Sequence, residues 1–466
     1  MSELQDVVTA TASGLDVPGV SVGVLHQGVE SYAFHGVTSI ENPLEVNADT
    51  LFQFGSTGKT FTSTALLRLV EQGHCDLDTR VKELIPELRL KDASVAERVT
   101  VLQLTNHTAG WAGDLLTSTG DGDDALAKFV EMLADVEQVT PLGESVSYNN
   151  AALSVAGRVI EKVTGLTYEQ AIRELLFEPL GMTHSFFFPG EVMTRRFAVG
   201  HNQAPDGTIT VARPWALPRN GAPAGGITAN AADQLAWARF HLGDGRAPDG
   251  TRLLSEKLLK SMQEPTVDMR GSALGDYVGI SWLLRDVANP DGQSSVRLVG
   301  HGGTMNGQHS EFLMVPEHDF AIISMTNCGP NGPMFNDALV KWALQTYLGI
   351  EETDPEPIAL GDAALEELCG HYETAAVDVH ISATAGQLSA KIEPKPETRA
   401  ALREEGASDD DIEQPPIAIG MLPGDGDRYI VVDGPAKGMK GYFARDAAGR
   451  ITGVHIGGRM ATRVRP

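Results

Sequence analysis

In residues 1–350 the β-type runs lie at the two ends with a mainly helical middle between them, and this distribution constrains the fold most. Near the start, a helix-patterned segment over 4–15 precedes two β-rich runs, 19–25 and 30–34. They are split by His26-Gln27-Gly28, which predicts a hairpin. Near the end, residues 277–284, 295–300, 311–316 and 320–326 read as strands of an antiparallel sheet, and a helix is expected over 334–347. The class that follows is α+β.

A charged, proline-bearing stretch at 351–357 reads as a linker. Beyond it, short runs at 377–381, 387–392, 429–432, 441–443 and 452–456, separated by glycine turns, predict a small β-barrel or sandwich of about a hundred residues. The charged insert at 394–416 has few apolar residues and reads as a mobile loop. A chain of 466 residues has room for roughly two or three domains.

Composition narrows the function by exclusion. The formal net charge of −26 argues against nucleic acid and against anionic membrane surfaces, both of which repel such a chain. The three cysteines, Cys75, Cys328 and Cys369, are far apart, so neither a disulfide framework nor a zinc site is expected. The 13 histidines show no H-E-x-x-H spacing, and no metal or other cofactor is expected. The first residues are acidic rather than basic, and no run reaches the roughly 18 apolar residues of a membrane span. A cytoplasmic protein acting on a small molecule or short peptide is the expectation, with a homo-oligomer left open.

The chemistry starts at Phe54-Gly55-Ser56-Thr57-Gly58-Lys59, a glycine turn before a helix-patterned run. Residues three apart share a helix face, so the Ser56 hydroxyl and the Lys59 amine are neighbours. A serine becomes a nucleophile when a base takes its proton, and a lysine serves once burial or a nearby cation lowers its pKa. By itself the S-x-x-K spacing also fits an N-cap serine and a solvated lysine. Tyr148-Asn149-Asn150 sets a phenol and a carboxamide two residues apart at a helix start: the phenol for proton transfer, the amide to orient Lys59 and grip a substrate carbonyl. His301-Gly302-Gly303-Thr304 follows a strand; its glycines let a substrate lie flat, and the Thr304 amide can join that of Ser56 in an oxyanion hole. A helix is expected over 99–110, closed by Gly110, and His107 near its end reads as a structural donor.

With Ser56-x-x-Lys59, Tyr148-x-Asn150 and His301-x-Gly303 in that order, the chain resembles the serine β-lactamase and penicillin-binding-protein superfamily, in its class C-like branch. Leu104-Thr105-Asn106-His107-Thr108-Ala109-Gly110, Glu178-Pro179-Leu180-Gly181-Met182 and Pro223-Ala224-Gly225-Gly226 are supporting phrases. The resemblance covers roughly residues 1–350. It implies a β-lactamase/transpeptidase-like domain there, an antiparallel sheet flanked by helices plus a helical subdomain. A linker at 351–359 and a lipocalin-like barrel at 360–466 would follow, and in relatives such a domain can reach over the active site.

The resemblance further implies an acyl-enzyme serine hydrolase with Ser56, Lys59 and Tyr148 catalytic and Asn150, His301, Gly303 and Thr304 binding substrate. Penicillin-recognising members carry Lys where this chain has His301, so β-lactam hydrolysis is expected to be weak. The H-x-G form resembles D-stereospecific aminopeptidases, amidases and esterases. If His301 binds a substrate carboxylate, its charge is expected to titrate near pH 6 to 7. Alternatives are acyl transfer from the same acyl-enzyme, a weak β-lactamase or DD-peptidase, and a binding module without chemistry, against which the three intact motifs count.

Overall fold

The computed structural model describes residues 3–464 apart from 116, 205, 216, 385, 405–411, 425 and 435. A helix, Glu3–Gly14, leads into the expected hairpin of β1 (Gly19–His26) and β2 (Val29–Gly36). Strand β3 (Phe52–Gln53) delivers the chain to a single 3-10 turn, Gly55–Thr57, and to the helix Gly58–Glu71. The middle is mainly helical. It also holds β4 (Ser185–Phe186), the hairpin β5 (His201–Gln203) and β6 (Ile209–Val211), and β7 (Thr228–Ala229), which pairs with both β3 and β4.

The chain then returns to sheet: β8 (Val267–Ser272), β9 (Gly275–Val278), β10 (Leu283–Ala288), β11 (Ser295–Gly300), β12 (Gly303–Met305), β13 (Gln308–Val315) and β14 (Phe320–Thr326). β1 bonds β2 on one side and β14 on the other, with Val20 opposite Thr326. The two strand-rich ends therefore close one nine-stranded antiparallel sheet in the order β2-β1-β14-β13-β11-β10-β9-β8, with β12 added beside β13.

Helices cover both faces, so the central strands are apolar on both sides. The helix Glu3–Gly14 and the helix Asn331–Ala343 bury Leu4, Val8, Phe335 and Leu339 against Val20, Val22 and Val24. On the opposite face the helix Gly58–Glu71 is buried along most of its length. Phe61 stacks on Trp237 with ring centroids 3.8 Å apart and meets Phe177 edge-on. Each such side chain contributes about 1.5–3 kcal/mol relative to exposure, so this helix has little freedom to move.

The C-terminal part is a closed eight-stranded antiparallel barrel: β15 (Gly370–Glu373), β16 (Val377–Thr384), β17 (Gln387–Pro394), β18 (Ile417–Met421), β19 (Arg428–Val431), β20 (Lys440–Arg445), β21 (Ile451–Ile456) and β22 (Arg459–Arg463), with β22 pairing back to β15. Side chains such as Tyr372, Tyr429 and Phe443 fill it. Its β21–β22 turn reaches the N-terminal part, where Gly458 accepts from the Tyr148 amide at 2.9 Å and the Met460 amide donates to Ser147 Oγ at 3.2 Å.

Four expectations differ from what is found. The run at 277–284 is two strands, because Ser281 turns the chain at φ 60° and anchors its hydroxyl to Ser63 and the Thr105 carbonyl. The helix expected over 99–110 covers Val101–Thr105 alone; His107, at φ 63°, leaves the helical path before Gly110 is reached. β15, β18 and β22 of the barrel carry no clear local signal and are defined by their partners. The insert at 394–416 holds a helix, Pro396–Glu404, where a loop is expected, and part of it, 405–411, lies outside the described residues.

Candidate active site

Ser56 stands in the 3-10 turn that begins the buried helix, and three glycines let other backbone press onto that turn. Gly55 has φ 59°, and a Cβ on it would lie 2.8 Å from the Thr304 amide nitrogen. A Cβ on Gly303 would lie 1.8 Å from the Phe54 carbonyl oxygen and 2.8 Å from the Ser56 nitrogen, and one on Gly225 would come within 3.0 Å of the Gly55 carbonyl carbon. Side chains are excluded at Gly55 and Gly303, so β12 runs directly beside the turn, and Gly225 packs closely on Gly55. Thr57 Oγ1 donates to the His301 carbonyl at 2.7 Å and Ser310 Oγ to that of Phe54 at 2.7 Å, which fixes the register.

Lys59, one helical turn on, is fully buried at 0% exposure. Its Nζ lies 2.9 Å from Ser56 Oγ and donates to the Ala224 carbonyl at 2.6 Å. Burial, and after it the positive charge of Arg459, holds its pKa well below the ordinary lysine value, with Asp114 opposing. The Tyr148 hydroxyl also hydrogen-bonds Ser56. Burial raises the phenol's pKa, outweighing Ser56 and Arg459, so the resting group is a neutral phenol.

His301 is buried, with Nδ1 2.6 Å from the Gly302 carbonyl and Nε2 3.4 Å from the Tyr148 hydroxyl. The first contact assigns the proton to Nδ1, which leaves Nε2 to accept from the phenol. Burial, with the Lys59 charge, pushes the ring down to about 3. The titration expected near pH 6 to 7 for a carboxylate anchor does not fit this position, because water does not reach the ring to solvate its charged form.

Asn150 begins the helix Asn150–Thr164, which Asn149 caps by accepting from the Ala152 amide. The expected amide contact to Lys59 is not what the structure gives: Asn150 Nδ2 donates to Asp114 Oδ1 at 2.8 Å. Asp114 is in turn paired with Arg459 at 3.0 and 3.1 Å, and the guanidinium lies 4.8 Å above the Tyr148 ring. On another side the buried His107 ring lies 4.3 Å from the Tyr148 ring and accepts the Asn149 amide at Nδ1. Its Nε2 is buried without a partner among the described residues.

Ser56, Lys59, Tyr148, Asn150, His301, Gly303 and Thr304 thus come together in one place, with Ser56 partly exposed and Thr304 exposed. Arg459 and Asp114 escape a reading of the sequence, since one sits in a barrel strand with weak β signal and the other in a polar loop. His107 is legible there but reads as structural. Among the described residues no group of three His, Cys, Asp or Glu side chains is arranged to hold a metal ion.

Residues 4–346 match the family described as Beta-lactamase. Penicillin-binding protein 4 of Amycolatopsis lactamdurans is 36% identical over 367 residues, spanning 77% of this chain and 93% of that protein. Among solved structures, SurE superposes with a TM-score of 0.77 at 23% identity over 99% of this chain and 98% of its own, and SurE with D-Leu with 0.75 at 23% identity over the same shares. A class C beta lactamase from Rhodobacter sphaeroides gives 0.59 at 23% identity over 74% of this chain and all of its own.

Proposed function

The chain belongs to the beta-lactamase family, and from that premise we propose that it is a serine hydrolase that works through an acyl-enzyme on a small amide, peptide or ester. The observation that carries this reading is the buried Lys59 amine 2.9 Å from Ser56 Oγ, with the Tyr148 hydroxyl hydrogen-bonded to the same serine. Neutral Lys59 takes the Ser56 proton as Oγ adds to the substrate carbonyl carbon. The oxyanion formed is held by the Ser56 and Thr304 amides, at the start of a helix whose free N–H groups favour negative charge. As the bond to the leaving nitrogen or oxygen breaks, Tyr148 gives that atom its proton and recovers one from the Lys59 ammonium. Water then adds to the acyl carbon by the same route in reverse, and acid and free Ser56 result.

In this reading Asn150 grips the substrate, Gly303 and Thr304 form the strand along which the acyl portion lies, and His301 orients the Tyr148 hydroxyl. The solved pairing of SurE with D-Leu supports including D-aminoacyl compounds among the substrates. The test is covalent labelling by a fluorophosphonate together with turnover of p-nitrophenyl esters, D- and L-aminoacyl anilides and nitrocefin. Labelling and turnover that vanish in Ser56→Ala are expected. Unchanged labelling in that variant would refute the assignment.

A further inference from the structure

Tyr148 is held from three directions, and one of them is the C-terminal barrel. Its amide donates to Gly458 at 2.9 Å, its neighbour Ser147 accepts from Met460, and the Arg459 guanidinium lies 4.8 Å over its ring. Lys59 Nζ lies 4.9 Å from the centroid of the same ring. Arg459 is itself fixed by two bonds to Asp114 and by donation to the Gly457 carbonyl at 3.0 Å, and Asp114 also takes the Asn150 amide. A Cβ on Gly458 would come within 2.7 Å of the Leu274 side chain, so the turn fits tightly against the loop between β8 and β9.

We propose that Arg459, with the Gly457–Gly458 turn, is a positioning part of the active site, fixing the Tyr148 ring and setting the charge around Lys59, so that the barrel is needed for turnover of every substrate. This rests on the acyl-enzyme reading above. The charged and titratable groups that face Lys59 and Tyr148 are few. His107 and His301 are both held neutral by burial, which leaves Arg459 and Asp114 to set the field. A guanidinium here disfavours a second positive charge at Lys59 and favours negative charge on the phenol as its proton is passed on. Asp114 pulls the other way and keeps the guanidinium on the ring.

The test uses the full chain and a neutral p-nitrophenyl ester, following kcat and KM across pH for wild type, Arg459→Gln, Arg459→Lys and Asp114→Asn, with thermal unfolding of each. Removing the positive charge makes Lys59 easier to protonate, so in Arg459→Gln the acidic limb of kcat moves up in pH and kcat below the limb falls roughly tenfold or more. KM for the neutral ester changes less than kcat. Arg459→Lys restores the limb, because the charge is kept, and Asp114→Asn moves it down. Opposite movement in Arg459→Gln and Asp114→Asn is an outcome that lost packing does not produce. Where Arg459→Gln fails to fold, the Asp114→Asn and Arg459→Lys limbs decide. An unmoved limb in the folded variants, or a change confined to KM of anionic substrates, overturns the proposal. If wild-type Ser56 takes no fluorophosphonate, the acyl-enzyme reading has failed instead.

Discussion

Lys59 occupies a place where an ammonium has no water and a serine oxygen within reach, and its value as a base comes from that burial. Lys59→Ala is therefore expected to lower kcat by about 100-fold or more, the scale of a lost general base, and Tyr148→Phe similarly, with acylation rates as the measurement. A severalfold effect in either would reduce that residue to a structural role. His301 offers a contrasting test. With its ring buried and neutral, His301→Lys sets a second amine beside Lys59 and removes the acceptor for the Tyr148 hydroxyl, so kcat should fall alike for a neutral ester and for nitrocefin. Improved KM for nitrocefin with unchanged ester turnover would instead make position 301 a carboxylate anchor. In wild type the acidic limb should follow Lys59, with no inflection from His301 between pH 6 and 7, because the imidazole is pushed to about 3.

At the scale of elements, the site depends on how closely β12 approaches the turn Gly55–Thr57. Nothing in a strand's own hydrogen bonding demands that approach; the absence of side chains at Gly55 and Gly303 permits it. Gly303→Ala drives a methyl into the Phe54 carbonyl and must push β12 away from Ser56. We expect at least a hundredfold loss in kcat, since the two amides of the oxyanion hole part, and a lowered melting temperature from the strained contact. Near-normal turnover in a folded Gly303→Ala protein would mean that the Thr304 amide is not part of the oxyanion hole. The buried helix Gly58–Glu71, locked by Phe61 and Trp237, offers no compensating movement.

For the molecule as a whole, buried histidines make stability depend on pH. His241, His301 and His455 are each fully buried and held near 3, and His309 near 4, whereas in the unfolded chain an imidazole titrates at about 6.5. These groups have depressed folded-state values, so their contribution is complete above about pH 6.5 and is lost progressively as pH falls toward 3. Glu311, raised by burial to about 7, has the opposite sign: its contribution is present below the ordinary carboxylate range and is lost as pH rises through 7. His107, lowered by burial, adds to the four histidines, and Glu161 and Asp233, raised by burial, add to Glu311. The histidine shifts are the larger, so the melting temperature should drop clearly between pH 7 and pH 4.5, and a flat profile over that interval would contradict the burial of these rings. Limited proteolysis tests the domain division. The stretch 351–357 is mostly exposed and should be cut first, while Arg459–Asp114 and Tyr148–Gly458 keep the two fragments together on gel filtration. Fragments that separate at once would show that the barrel's dock on the catalytic part is weak.

Ser56-x-x-Lys59, its two companion motifs and the strand-rich ends are legible in the chain before it is folded. These are local signals: a helix start with Ser and Lys one turn apart, alternation in β runs, glycines beside a histidine. Even there, the motif spacing points the amide of Asn150 at Lys59, whereas it donates to Asp114, because periodicity says which residues share a face and nothing about which loop crosses that face. Only the folded chain brings β1 against β14 across almost the whole N-terminal part, makes burial, ahead of any neighbouring charge, the main cause that lowers Lys59 and His301, and carries Arg459 to Tyr148 from the far end of the chain. Burial and long-range pairing are sums over contacts between distant segments, and no short window of residues carries them.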